Sequence, residues 1–244
     1  REIGLGAHPV GLDVDRVQHV LDSEFCQEQI TMLCKELEGI RVVLSVERLD
    51  YTKGTYAKLL AFEALLEAHP ELIGKVSLIT ICVPAAREMT IYAELLGQIE
   101  QAVGRINGRF SRVGWTPVQF FYRAVPFDQL VAYYLMADVM WITPLRDGLN
   151  LVAKEYVATQ GLCGGAGVLV LSEFAGAAAE LHGALLTNPH DPHDLRDGLY
   201  IGLTLGRAER EARLRELFGI VQHNDIRRWG DEFLQAIRGV HREA

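Results

Sequence analysis

Residues 147–156 read Asp-Gly-Leu-Asn-Leu-Val-Ala-Lys-Glu-Tyr, which places two carboxylates around the opening of a helix. The segment follows a strand-like run, Val139–Thr143, and a Pro-Leu-Arg turn. Asn150 suits the N-cap position, which leaves the backbone N–H groups of Leu151, Val152 and Ala153 without intrahelical partners. Such a helix start carries a partial positive charge and attracts anions. Asp147 precedes it, with Gly148 in the turn between them, and Lys154 and Glu155 follow inside the first two turns. One carboxylate can hold sugar hydroxyls and the other a ribose, with phosphate gripped between them. The chemistry that these residue types define is that of a sugar-nucleotide site.

A second loop supplies cations. After the run Val42–Val46 the chain reads Glu47-Arg48-Leu49-Asp50-Tyr51-Thr52-Lys53-Gly54. Arg48 leaves the strand end, Lys53 closes the loop, and Gly54 lets the backbone turn into the next helix. Two cations so placed can converge on a departing diphosphate. A solvated loop, its cations paired with Glu47 and Asp50, is the plainer reading of the loop alone. The two loops taken together favour the anion site. A third post-strand segment, Ser172-Glu173-Phe174-Ala175-Gly176-Ala177-Ala178-Ala179-Glu180, offers close backbone approach, yet tight helix-on-sheet packing explains it equally well.

These loops need elements to carry them. Short, almost continuously apolar runs at Val42–Val46, Val76–Cys82, Val118–Tyr122, Val139–Thr143, Val168–Leu171 and Ala184–Leu186 suit strands buried on both faces of a parallel sheet. Between and after them, amphipathic periodicity predicts helices at Asp15–Glu38, Tyr56–Ala68, Glu88–Val103, Phe127–Met136 and Leu151–Gln160. Three more are expected at Pro192–Leu205, Arg207–Gln222 and Asp225–Val240. Gly104-Arg105-Ile106-Asn107-Gly108 reads as a helix stop followed by a turn. The βαβα order predicts a doubly wound α/β domain, whose ligands sit at the carboxyl ends of the strands.

Composition narrows the functional classes. The 244 residues carry a formal net charge of −8, which disfavours nucleic acid and anionic membrane as partners. No apolar run approaches the roughly 20 residues of a membrane span, and no signal peptide is visible, although the first residue is not Met. Cys26, Cys34, Cys82 and Cys163 show no metal-ligand spacing and read as reduced cysteines of a cytoplasmic protein. The histidines form no metal pattern either, so no metal or other cofactor is expected. Trp115, Trp141 and Trp229 read as packing residues.

Several longer motifs carry a resemblance. Ser45–Gly54, Gly104–Gly108, Trp115-Thr116-Pro117, Thr143–Tyr156 and Val168–Ala177 closely resemble the trehalose-6-phosphate synthase group of retaining glycosyltransferases, glycosyltransferase family 20. The resemblance covers nearly the whole chain. It implies a GT-B architecture, two Rossmann-like domains facing a cleft, of which this chain matches the C-terminal, donor-binding half. It implies that Arg48 and Lys53 bind the donor diphosphate, that Leu151 and Val152 offer it backbone N–H groups, and that Asp147 holds hydroxyls of the transferred glucose. Glu155 would bind the ribose, and the backbone near Val125 would meet the base. The implied mechanism is metal-free and retains configuration. The acceptor hydroxyl attacks from the face the diphosphate leaves, and a phosphate oxygen accepts its proton.

One departure narrows the resemblance. Trehalose-6-phosphate synthases carry Thr-Ser-Arg-Gly where this chain has Val83-Pro84-Ala85-Ala86-Arg87. That stretch, with Asp50–Thr55 and Phe127–Tyr134, is more similar to the glucosylglycerol-phosphate synthase subgroup, which joins ADP-glucose to glycerol 3-phosphate. Trehalose synthesis from UDP-glucose and glucose 6-phosphate is the alternative, as is a non-catalytic regulatory nucleotide-sugar-binding domain. Asp225–Val240 would then pack on an absent N-terminal domain, leaving Ile226, Trp229 and Phe233 more exposed here than in a whole enzyme. The chain alone is expected to bind nucleotide without turnover.

Overall fold

The computed structural model describes residues 6–85 and 90–240. Six parallel strands form one sheet: β1 (Arg41–Arg48), β2 (Val76–Val83), β3 (Val118–Tyr122), β4 (Val139–Ile142), β5 (Val168–Ser172) and β6 (Leu185–Thr187). Their order is β3-β2-β1-β4-β5-β6. The chain winds outward from β1 in one direction and from β4 in the other, so the strand order reverses between these two neighbours. In open α/β sheets that reversal opens a crevice at the carboxyl ends of the strands.

Side-chain alternation along each strand divides the interior into two cores. Val42, Leu44 and Val46 of β1 face one side with Met140, Ile142, Leu169 and Leu171. That side is covered by α1 (Val14–Leu21), α2 (Glu24–Glu36), α5 (Phe127–Met136), α6 (Leu151–Leu162) and α8 (Arg207–His223). Val43, Leu78, Val139, Trp141, Val168 and Val170 face the other, beneath α3 (Thr55–Ala68), α4 (Thr90–Phe110) and α7 (Pro192–Thr204). Strands covered on both faces need apolar residues at every position, hence the unbroken runs in the sequence. Leu44, wholly buried, contributes on the order of 1.5–3 kcal/mol by leaving water.

Two sequence expectations need correction. The segment 15–38 forms two helices, because Ser23 ends the first and caps the second: its hydroxyl donates to Val20 O at 2.7 Å and accepts from Cys26 N at 3.2 Å. The expected stop at Gly104–Gly108 lies inside α4. Ile99, Ala102 and Ile106 are fully buried along one face and carry the helix through two solvent-side glycines. Arg105 and Arg109 on that helix both pair with Glu63 of α3, at 2.7 and 2.6 Å, and hold its carboxyl below the usual range. The start expected at Glu88 lies outside the described residues.

The last helix, α9 (Ile226–Val240), lies against the N-terminal segment. Ile226 N donates to Leu12 O at 3.1 Å, Trp229 Nε1 donates to His8 O at 3.0 Å, and Arg227 pairs with Asp15 at 2.7 Å. These contacts leave Ile226 and Trp229 half-buried. Phe233 is exposed, with Leu234 and Ile237 beside it on the helix. Among the described residues no helix is long and apolar enough to cross a membrane. Cys26 and Cys82 are buried and free, and burial pushes the Cys82 thiol up to about 12.

Candidate functional site

A hollow of about 350 Å³ opens where the strand order reverses. It is lined from β1 and its following loop by Val46, Glu47, Arg48 and Lys53. From the other side come Ile142 and Pro144 at the end of β4, the turn residues Asp147, Leu149 and Asn150, and Leu151 and Val152 of α6. The two loops therefore meet in one place, as the spacing of their charges predicts.

The helix mouth is built by Asn150, at φ 75° the one non-glycine residue with positive φ among those described. Asparagine tolerates this left-handed conformation better than most residues. Its Oδ1 accepts from Ala153 N at 3.1 Å. This cap uses the Ala153 amide, so Ala153 does not offer a ligand its N–H as expected. The first-turn N–H groups of Leu151 and Val152 remain for an anion at the hollow.

Asp147 is fixed from several directions. Its Oδ2 accepts from Lys53 Nζ at 2.6 Å and from Asn150 Nδ2 at 3.1 Å. Its N–H donates to Phe174 O at 3.2 Å, and its carbonyl accepts from Gly176 N at 2.8 Å. Ala177 N donates to Leu149 O at 2.7 Å. The small residues after β5 thus serve as a backbone buttress for the 147–150 turn. Ser172 is buried, and its Oγ accepts from Phe174 N at 3.0 Å, bracing the same segment.

The cation loop is equally defined. Asp50 Oδ1 accepts from Thr52 N at 2.9 Å and Thr52 Oγ1 at 2.8 Å, while Oδ2 pairs with Arg48 Nη2 at 3.2 Å. Burial pushes the Asp50 carboxyl up, but these hydrogen bonds and the Arg48 charge outweigh it and hold the group below its ordinary value. Gly54 turns the chain into α3 at φ 70°. Leu145 N donates to Thr52 O at 2.7 Å and couples this loop to the one after β4. Arg48 has 59% of its side chain exposed, so it reaches over the rim. Pairing with Asp50 was anticipated for this loop. Lys53, in contrast, reaches across to Asp147, and Glu47 pairs instead with a residue the sequence did not point to, Lys58.

Besides Ala153, four expected contributors lie apart from this lining. Lys154 is directed elsewhere: its buried Nζ pairs with Glu180 and donates to Val10 O, both at 2.8 Å, so it ties α6 to the N-terminal segment. Gly148 presents its carbonyl to the close approach of Gly176. Val125 is half-buried against the core on the α5 side. Glu155 is half-buried on α6 and accepts a hydrogen bond from the Tyr134 hydroxyl at 2.9 Å. Burial raises its carboxyl above the ordinary glutamate value, against the lowering effect of Tyr134 and Arg16. The apolar walls Ile142, Pro144 and Leu149 were missed, because nothing in their residue types separates a site wall from core.

Parallel strands flanked by helices on both faces and a reversal of strand order define an α/β domain of the doubly wound class. Comparison with known proteins gives the particular family. Residues 1–239 match the family model for glycosyltransferase family 20, and the chain belongs to that family. It is 68% identical over 97% of its length to a glucosylglycerol-phosphate synthase from Pseudomonas anguilliseptica, and spans 31% of that relative. A solved α,α-trehalose 6-phosphate synthase from Burkholderia multivorans superposes with a TM-score of 0.93 at 42% identity, over 100% of this chain and 51% of that one. An E. coli structure described as trehalose-6-phosphate bound with UDP-2-fluoro glucose superposes with a TM-score of 0.89 at 38% identity, over 95% and 51% of the two chains. The fold is that of one half of a GT-B glycosyltransferase. The chain spans about a third to a half of the relatives it matches.

Proposed function

We propose that this chain is the donor-binding part of a glucosylglycerol-phosphate synthase, a retaining enzyme that moves glucose from ADP-glucose to glycerol 3-phosphate in the cytoplasm. The observation that carries this reading is the shared hollow: Arg48, Lys53 and the first-turn amides of Leu151 and Val152 surround one space large enough for a pyrophosphate. The 68% identity to a glucosylglycerol-phosphate synthase supports that acceptor over glucose 6-phosphate. The departure from the trehalose-synthase pattern after β2 supports it too, although Ala86 and Arg87 lie outside the described residues.

In this reading Arg48 and Lys53 neutralise the diphosphate as the bond from the glucose anomeric carbon to phosphate oxygen breaks. The glycerol phosphate hydroxyl forms its new bond to that carbon on the same face, and its proton passes to the departing phosphate oxygen. The helix mouth stabilises the leaving anion through fixed amide dipoles. Asp147 orients glucose hydroxyls, and Glu155 takes the ribose diol. Residues of the longer relatives that this chain does not span complete the acceptor site, so the chain by itself binds donor without transferring glucose.

Titration calorimetry with ADP-glucose, UDP-glucose and GDP-glucose tests the reading. A preference for ADP-glucose is expected. A preference for UDP-glucose would favour trehalose-type chemistry, and no binding by any of the three would favour a regulatory domain. Transfer to glycerol 3-phosphate by the 244-residue chain alone would overturn the division of labour.

A further inference from the structure

We propose that Glu47 and Lys58 are positioning residues for donor binding, a buried ion pair that clasps both ends of the 48–54 loop and sets Arg48 and Lys53 for a diphosphate. The proposal deepens the donor-site reading above and rests on it.

The clasp is made by two short faces. Ser45 and Glu47 lie two apart on β1 and so share one side of the strand. Thr55 and Lys58 lie three apart on α3 and so share one face of the helix. Lys58 Nζ donates to Ser45 Oγ at 2.6 Å and to Glu47 Oε2, and Thr55 Oγ1 donates to Glu47 Oε1. Only 2% of the Lys58 side chain and 7% of the Glu47 side chain are exposed. Everything between these anchors is the loop that carries Arg48 and Lys53. The loop's other ties are Leu49 N to Val83 O at 2.7 Å, the Asp50 cap, Lys53 N to Asp50 O at 3.0 Å, Leu145 N and Arg146 N to Thr52 O, and the Lys53 pair with Asp147 at its tip.

Stability alone gives a poor account of the pair. Stripping water from two charges costs much of what their attraction returns, and an apolar pair of equal volume in such a place is often as stable or more so. Phe62, Leu65 and Leu66 show that α3 also packs through hydrocarbon nearby. Glu47 also lines the hollow, where an unpaired carboxylate would repel a diphosphate. Lys58 neutralises it from behind, at a depth where the lysine is not exposed to compete with Lys53 for the ligand. The pair thus does two things at once: it fixes the loop and cancels a charge the ligand would oppose.

The test uses this chain, titrated with ADP-glucose, with thermal unfolding of each variant measured in parallel. The double variant Glu47→Leu with Lys58→Met is expected to keep or raise the unfolding midpoint and yet bind at least tenfold more weakly. Lys58→Met alone, which leaves Glu47 uncompensated, is expected to bind more weakly still, and Lys58→Arg to recover part of the loss. Glu47→Gln, nearly isosteric, serves if the double variant does not fold. A Glu47→Gln or double variant that folds and binds like the wild type would overturn the proposal. Wild-type protein that binds no nucleotide sugar and no ADP would instead remove the donor site itself, and the positioning role with it.

Discussion

Lys53 Nζ and Asp147 Oδ2 lie 2.6 Å apart, so a cation from the β1–α3 loop and a carboxylate from the β4–α6 loop meet inside one hollow. Both side chains are mostly buried, at 18% and 17% exposure. If the hollow holds a nucleotide sugar, phosphate competes with Asp147 for the lysine, and sugar hydroxyls compete with the lysine for Asp147. Asp147→Asn separates these effects. ADP, which lacks the sugar, is expected to bind more tightly by about 1 kcal/mol, because the ammonium loses its competing anion. ADP-glucose is expected to bind more weakly. Calorimetric titration of both ligands measures the split, and affinities moving in the same direction for both would refute the exchange.

Arg48 makes a more exposed contribution. Among the described residues its guanidinium pairs with Asp50 alone, and it extends over the rim, 59% exposed. Removing it should leave the fold intact, since an exposed ion pair contributes little to stability. Arg48→Ala is expected to cost roughly 1.5–3 kcal/mol of diphosphate binding through loss of charge-assisted hydrogen bonds. The dissociation constant for ADP is the measurement, and an unchanged value would take Arg48 out of the site.

How far the sequence discloses this site depends on the range of each interaction. The helix mouth is legible because a cap is a local event: Asn150 and Ala153 lie three residues apart, and residue type alone nominates Asn150. The strands are legible because double-sided burial leaves unbroken apolar runs. Lys58 is not legible, since its partner depends on how α3 is laid on β1, which no local pattern encodes. Lys154 fails for the same reason. It stands between two candidate site residues in the chain, but the helix directs it to Glu180, 26 positions on. The glycines at 104 and 108 mislead because burial of Ile99, Ala102 and Ile106 outweighs their weak helix propensity.

If Glu155 takes the ribose, as proposed, it gives donor binding a pH dependence. Burial holds its carboxyl above the ordinary glutamate value, and the Tyr134 hydroxyl, donating at 2.9 Å, only partly offsets this. A raised carboxyl pKa means the folded chain binds that proton more tightly than the unfolded chain does. The group's contribution to stability is then complete below the ordinary glutamate range and is lost as pH rises through the raised value. Ribose recognition by a carboxylate has the opposite sign, since it needs the ionised form. ADP-glucose affinity should therefore begin to fall at a higher pH than an unperturbed glutamate would give as the solution is acidified. Glu155→Gln should bind more weakly at neutral pH and lose that dependence. A wild-type affinity flat through this window would separate Glu155 from the ligand.

Gly176 tests the buttress. A Cβ at this position would lie 2.1 Å from Gly148 O and 2.6 Å from Gly148 C, far inside contact distance and against backbone that cannot swing aside. Alanine must therefore push the segment after β5 away from the 147–150 turn, stretching the Gly176 N to Asp147 O and Ala177 N to Leu149 O hydrogen bonds. Asp147 and the Leu151 amide would move with that turn, and Ala175 and Ala177, core residues that flank Gly176, would be disturbed with it. Overpacking of this kind costs typically 1–3 kcal/mol. Gly176→Ala is expected to lower the unfolding midpoint by that order and to weaken ADP-glucose more than ADP, because the carboxylate proposed to hold the sugar moves most directly. Alanine at Gly108 is the control, since nothing lies within 4 Å of a Cβ there and α4 should gain from the exchange. Equal losses of both ligands in Gly176→Ala would mean that the whole anion site shifts as one body, and the buttress would then belong to the helix mouth rather than to Asp147.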